Sequence, residues 1–295
     1  MEITASMVKE LRETTGAGMM DCKRALTEAD CDMSKAVDIL RTKGLADLAK
    51  KSGRATNEGL VATHVMPDGR TAAVVEVNCE TDFVALNEEF SGFVGRVAAQ
   101  VAATAPADVA SLMGASWSAN PSLTVEQALG EVVSRLDENM GITRFLRFSS
   151  DAVSTIGSYV HGVGRIGVLV EIAGGEGEPV SALARDIAMH VAAAAPGWIR
   201  RDQVPADVIE HEKSIYRAQA AESGKPEAIQ EKIATGRLDK FFKEVCLLEQ
   251  PFVKDPDITV EQLVKRAAGS SEFVITRFAR YALGETSDGK AASGC

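Results

Sequence analysis

The chain repeats itself, and that repeat limits its possible folds more than any other feature. Gly69-Arg70 followed by Val75-Glu76-Val77 returns as Gly164-Arg165 followed by Val170-Glu171-Ile172, an offset of 95 residues. Val101-Ala-Ala103 with Ala105-Pro106 returns as Val191-Ala-Ala193 with Ala195-Pro196 at an offset of 90. Thr124-Val-Glu-Gln127 returns as Thr259-Val-Glu-Gln262 at 135, and Ile142-Thr-Arg-Phe145 as Ile275-Thr-Arg-Phe278 at 133. Self-similarity that runs through so many stretches in one order means a single supersecondary unit written twice.

Periodicity supplies the elements of the unit. Residues 60–66 and 71–77 flank the turn residues Pro67-Asp68-Gly69, and Val74, Val75 and Val77 favour a pleated surface, so they form a hairpin. Phe90, Phe93, Val94, Val97 and Val101 recur at helical spacing and place a helix over 88–104 with those residues in its core face. Leu123-Thr-Val-Glu-Gln127 opens another helix, and residues 142–148 form a strand. The fold class is α+β. The expected organisation is an N-terminal helical domain with its linker over 1–55, core subdomains over 56–152 and 153–285, and a disordered tail over 286–295.

The changes of offset show where the copies differ, and a repeated scaffold acquires function where its copies diverge. The first copy is five residues longer between hairpin and helix, within 78–87, where the second has Ala173-Gly-Gly-Glu-Gly-Glu-Pro179. The second copy carries 45 more residues between Pro196 and Thr259. In this insertion, about 200–248, Val208, Ile215, Ile229, Ile233, Phe241, Phe242 and Val245 are apolar and Ser223-Gly-Lys-Pro226 interrupts them. It reads as a projecting helical hairpin, a shape suited to protein contacts.

Ahead of the repeat, three short helices are expected over about 4–13, 20–29 and 32–43, broken first at Gly16-Ala-Gly18. Thr4 or Ser6 and Asp32 are N-cap candidates, Gly44 falls where a left-handed C-terminal cap would sit, and Val8, Leu11, Leu26, Val37 and Leu40 form the apolar faces. Residues 49–57 are basic and polar and read as a linker.

Bulk properties exclude several functions. A net charge of −10 argues against sequence-independent binding to nucleic acid, which needs clustered Lys and Arg. No apolar run approaches the roughly 20 residues that span a bilayer. The acidic start Met1-Glu2-Ile3-Thr4 is unlike a secretory signal, and a cytoplasmic protein is expected. The five cysteines, Cys22, Cys31, Cys79, Cys246 and Cys295, form an odd set without a C-x-x-C pair, so reduced structural thiols are expected, with Cys295 exposed on the tail.

Gly162-Val-Gly164-Arg-Ile-Gly167 fits the dinucleotide pattern G-x-G-x-x-G, but the apolar alternation continues it as a strand rather than a helix, and the first copy has a hairpin turn there. His64, His161, His190 and His211 are dispersed, with neither metal-ligand spacing nor a G-x-S-x-G partner. No cofactor, metal or catalytic residue is therefore expected. His190 lies on an Ala-rich helix as a satisfied, partly buried histidine, whereas His161 precedes a Gly-rich turn and suits recognition or structure equally. Asp82-Phe83 admits two readings from residue type: a capping acid with a core aromatic, or an exposed contact tip whose aromatic wedges into a partner while the carboxylate competes for hydrogen bonds or repels acidic groups.

Several stretches together resemble the bacterial elongation factor Ts family. These are Thr14-Thr-Gly-Ala-Gly-Met-Met-Asp-Cys-Lys23 with Ala25-Leu26, Glu76-Val-Asn-Cys-Glu-Thr-Asp-Phe-Val-Ala85, Ser158-Tyr-Val-His-Gly162 and Gln250-Pro-Phe-Val-Lys-Asp255. The resemblance implies an N-terminal three-helix domain like ubiquitin-associated domains, two related core subdomains and a hairpin often used for homodimerisation. It implies a guanine-nucleotide exchange factor for elongation factor Tu, in which Thr81, Asp82, Phe83 and Val84 enter the partner and help dislodge its magnesium ion. Met19 and Met20 become candidates for docking on a partner helix, unless they serve as local core. His161, Phe252 and Val253 would face other parts of elongation factor Tu.

This chain departs from the family where Leu86 replaces the usual Lys or Arg, and where Lys-Ile-Gly-Glu-Asn appears as Arg135-Leu-Asp137-Glu-Asn. The competing reading is an adaptor that binds proteins through its N-terminal bundle and hairpin without exchange activity.

Overall fold

The computed structural model describes residues 2–150, 152–222, 226–285 and 293–294. It begins with three helices, α1 (Ala5–Thr15), α2 (Met19–Glu28) and α3 (Met33–Lys51), which bury Val8, Leu11, Cys22, Ala25, Leu26 and Ala36 between them. The Thr4 and Asp32 side chains accept from the Met7 and Lys35 N–H groups, which satisfies donors that a helix start leaves open.

The third helix is longer than its sequence suggests. Gly44 is no cap, because α3 runs on to Lys51. What requires glycine there is a crossing with a later helix: a Cβ on Gly44 would lie 3.1 Å from the Gly130 carbonyl carbon, and one on Gly130 would lie 3.0 Å from that of Gly44. The expected linker also starts later than 49, since Lys51 is buried and its Nζ donates to Asp137 Oδ1 at 2.6 Å.

The first copy runs β1 (Glu58–Val65), β2 (Thr71–Cys79), α4 (Asp82–Ala85), α5 (Glu88–Thr104), α6 (Val109–Gly114), β3 (Ser116–Trp117), β4 (Asn120–Thr124), α7 (Val125–Leu136) and β5 (Met140–Ser149). The second runs β6 (Ser154–His161), β7 (Ile166–Ala173), α8 (Glu178–Ala194), α9 (Ala206–Ala221), α10 (Glu227–Val245), β8 (Pro251–Phe252), β9 (Asp255–Thr259), α11 (Val260–Ala268) and β10 (Val274–Ala282), with β11 (Ser293–Gly294) paired to β10. The sheets are antiparallel with orders β1-β2-β5 and β11-β10-β7-β6. Other residues of the expected tail, with Cys295, and 223–225 of the hairpin break lie outside the described residues.

Side-chain alternation builds the layers. Ala73, Val75 and Val77 point to α5 and α7, while Ala72 and Val74 pack with Val61, Phe148, Ile156, Leu169 and Ala279 in a core shared by the two sheets. Val168, Val170 and Ile172 point the other way, to α8. The order through the molecule is helix, sheet, sheet, helix. Both α7 and α11 open with a capping box, Thr124 with Gln127 and Thr259 with Gln262. Each sheet holds a buried glutamate paired with an arginine, Glu76 with Arg144 at 2.7 Å and Glu171 with Arg277 at 2.5 Å.

Residues 162–165 of the Gly162–Gly167 run form the hairpin turn between β6 and β7, with positive φ at Gly162, Val163 and Gly164, and Ile166 and Gly167 begin β7. No helix follows it, so the dinucleotide reading has no structural support. Helices α9 and α10 pack against each other and are joined by Arg217 and Glu231 at 3.0 Å. Among the described residues no helix is long and apolar enough to cross a membrane.

Candidate partner-contact site

The extra residues of the first copy fold into a single helical turn, α4, between β2 and α5. The Thr81 hydroxyl is its N-cap, accepting from the Val84 N–H at 3.4 Å, so Asp82 is the first helical residue and not the cap. Val84 and Ala85 are buried in the first core and anchor the turn. Their neighbours point outward: Phe83 is 83% exposed and Leu86 is exposed beside it. Phe83 is therefore not a core aromatic. Among the described residues the Asp82 carboxylate makes no hydrogen bond or ion pair, which leaves its charge available.

Thr81 is held on three sides. Its N–H donates to Glu138 Oε2 at 3.1 Å and its hydroxyl donates to Glu138 Oε1 at 2.5 Å. Its carbonyl accepts from the Cys79 thiol at 3.2 Å. Burial, then the nearby Glu138 charge, push the Cys79 pKa up to about 12, so it is a protonated donor at neutral pH.

The loop that carries Glu138 is itself braced. Asp137 ends α7 in the left-handed conformation, φ 60°, a position where glycine would be unstrained, and Lys51 holds its carboxylate below the usual range. The Asn139 N–H donates to Glu80 Oε1 at 2.6 Å, which lowers the Glu80 pKa, and the Asn139 amide donates to the Arg54 carbonyl at 2.7 Å. Arg135 donates to the Thr15 carbonyl at the end of α1 and pairs with Glu89 at the start of α5. One segment, 130–139, thus touches both the N-terminal helices and the α4 turn. Sequence reasoning named this run without finding its partners. Its only signal was likeness to a family motif, since Thr81 and Glu138 are 57 residues apart.

The other expected residues separate. Met19 and Met20 are 47% and 68% exposed at the start of α2, so they lie on a helix rather than in a loop and are not local core. His161 is exposed at the end of β6, its Nδ1 3.0 Å from the Tyr159 hydroxyl. Val253 is exposed, but Phe252 is only 4% exposed and packs in the second core. The physical reason is the repeat: Phe252 occupies the place of the buried Trp117, 135 residues earlier, so its ring lies in the core and not on the surface where the expected contact would need it. His190 is buried, donating from Nε2 to Gln250 at 2.9 Å and accepting the Val253 N–H on Nδ1 at 3.2 Å. Burial lowers its pKa.

Comparison with known proteins places the chain as a whole. A family profile described as Elongation factor TS matches residues 80–285. The Elongation factor Ts of Trichlorobacter lovleyi is 48% identical over 292 residues, covering 97% of this chain and 94% of the relative. Those of Clostridium novyi and Clostridium botulinum are 48% and 49% identical over 286 residues, covering 96% of this chain and 93% of each relative. With a match that runs through both copies of the repeat and nearly the whole chain, the protein belongs to the elongation factor Ts family.

Proposed function

We propose that this translation elongation factor acts in the cytoplasm as a guanine-nucleotide exchange factor for elongation factor Tu, with the α4 turn as its working tip. The observation that carries the reading is an almost fully exposed Phe83 on a turn whose cap and anchors are fixed. An apolar ring left in water by a protein that buries its other phenylalanines more deeply suits a wedge between elements of a partner. The free Asp82 carboxylate beside it would disturb the negatively charged surroundings of the partner's magnesium. Met19, Met20, His161 and Val253 supply further contacts, and the α9–α10 hairpin is the proposed homodimer surface.

No covalent step is needed. A factor that binds nucleotide-free elongation factor Tu more tightly than the GDP form weakens GDP binding by the same ratio. Displaced magnesium removes counter-charge from the phosphates, GDP leaves, and GTP then displaces the factor.

Stopped-flow release of labelled GDP from elongation factor Tu, at varied magnesium, tests this. Phe83→Ala should slow stimulated release about 100-fold, the loss of one hot-spot aromatic, with the fold intact. Unchanged release at equal complex occupancy would sink the assignment. An adaptor would bind without accelerating release, so the same traces separate the two readings.

A further inference from the structure

We propose that Glu138 is a positioning residue for the exchange tip, acting through Thr81 to aim Asp82 and Phe83. The inference rests on the reading of α4 as that tip. Phe83 is too exposed for its own packing to orient it. Its direction must come from the backbone on either side, which is anchored by buried Val84 and Ala85 after it and by Thr81 before it.

Glu138 controls the Thr81 end in two ways. By accepting the N–H and the hydroxyl of one residue it fixes both the backbone and the side-chain torsion of Thr81. A hydroxyl has one proton to give. Because that proton goes to Glu138, an oxygen lone pair is left facing the Val84 N–H, and the same bond that locks Thr81 also sets the helix cap. A charged acceptor makes these bonds stronger than neutral ones.

The grip is effective only if Glu138 is itself immobile, and its neighbours see to this. Asp137 is tied to the buried Lys51, and Asn139 is tied to Glu80 and to the Arg54 carbonyl. Glu80 precedes Thr81 directly, so the two loops are stitched at consecutive residues: 80 to 139, and 81 to 138. A carboxylate meant only to satisfy Thr81 would need no such double seam, because Thr81 is half-exposed and water could serve it.

Removing the carboxylate should leave the turn present but free to sample other directions. The competent fraction then falls, and the apparent exchange efficiency falls with it. The test is a double-mutant cycle on the full chain, reading stimulated GDP release from elongation factor Tu by stopped flow, with thermal melting of each variant. Glu138→Ala should lower kcat/KM about tenfold. Glu138→Gln, which keeps an acceptor for the Thr81 N–H, should recover most of that loss. Thr81→Val, which removes the hydroxyl and cannot disturb the Glu138 loop's own seam to Glu80, should act in the same direction and covers the case of an unfolded Glu138→Ala.

In a background that lacks both tip side chains, Asp82→Ala with Phe83→Ala, Glu138→Ala should cost nothing further, because nothing is left to aim. A second tenfold loss there would show that Glu138 acts elsewhere and would overturn the inference, as would wild-type exchange by Glu138→Ala. Wild-type exchange by Phe83→Ala would instead remove the tip reading itself.

Discussion

The first copy of the repeat passes from its second strand to its long helix through eight residues, 80–87, and the second through four, 174–177; the offset of five appears as four because β7 ends one repeat position earlier than β2. The flanking pieces are otherwise alike: α5 and α8 each have 17 residues and end on a left-handed alanine, Ala105 and Ala195. In the second copy the short connection is Gly-rich and stays close to the sheet, where a Cβ on Gly174 would collide with the Glu272 carbonyl. In the first, the longer connection has length enough to form a capped turn and to hold an aromatic outside the core. The same scaffold therefore carries a short, close-lying connection in one copy and, in the other, a capped turn that would be the mount for the proposed tip.

The sharpest way to break this comparison concerns the scaffold. Glu76 is fully buried and its partner Arg144 nearly so, whereas Arg277 opposite Glu171 is a third exposed. Arg144→Ala strands a buried carboxylate and should cost about 3–5 kcal/mol in urea unfolding. Arg277→Ala should cost about half as much, since water reaches that pair. Equal losses would show that the copies do not differ in how deeply they bury charge.

Replacing 80–87 by the four residues 174–177 asks whether the mount is all that distinguishes the copies. Stimulated GDP release should fall about 100-fold or more, near 3 kcal/mol, while far-ultraviolet circular dichroism stays that of the parent. Retained exchange would place the activity outside α4.

The smallest effect distinguishes equivalent core positions. Gln100 and His190 are 90 residues apart, and each accepts an N–H from the following two-stranded ribbon, Gln100 from Ser118 and His190 from Val253. Only the histidine titrates. Burial lowers its pKa, so as pH falls below the ordinary value of about 6.5 the unfolded chain takes up the proton first. Stability due to neutral His190 is complete above that pH and is lost toward the lower folded pKa, by about 1 kcal/mol per unit of pH. His190→Gln should give the second copy the pH-insensitive link of the first. Thermal melts at pH 7.5 and 5.5 that shift equally in parent and variant would refute this.

Much of the fold is legible in the chain because it is local. Helical spacing places α5 at its observed 88–104, and Thr-Val-Glu-Gln marks both capping boxes. The role of Gly44 is not legible, because the backbone it packs against, at Gly130, is far away in sequence. The candidate site divides in the same way. A difference in offset singles out 78–87, but the exposure of Phe83 and the grip of Glu138 on Thr81 depend on contacts between segments. Phe252 shows the opposite case. Its alignment with Trp117 was available from the 135-residue offset and marks it as core, whereas the family resemblance marked it as a contact.

The core shared between the sheets bears on how the chain is made. Synthesis proceeds from the N-terminus, so β1, β2 and β5 leave the ribosome well before β10. Yet the inner face of that first sheet is covered by Leu169 and Ala279, and the buried Glu76 carboxylate accepts the Gly284 N–H at 2.9 Å. The copy that carries the α4 turn thus emerges first and is completed last, waiting on residues at the far end of the message.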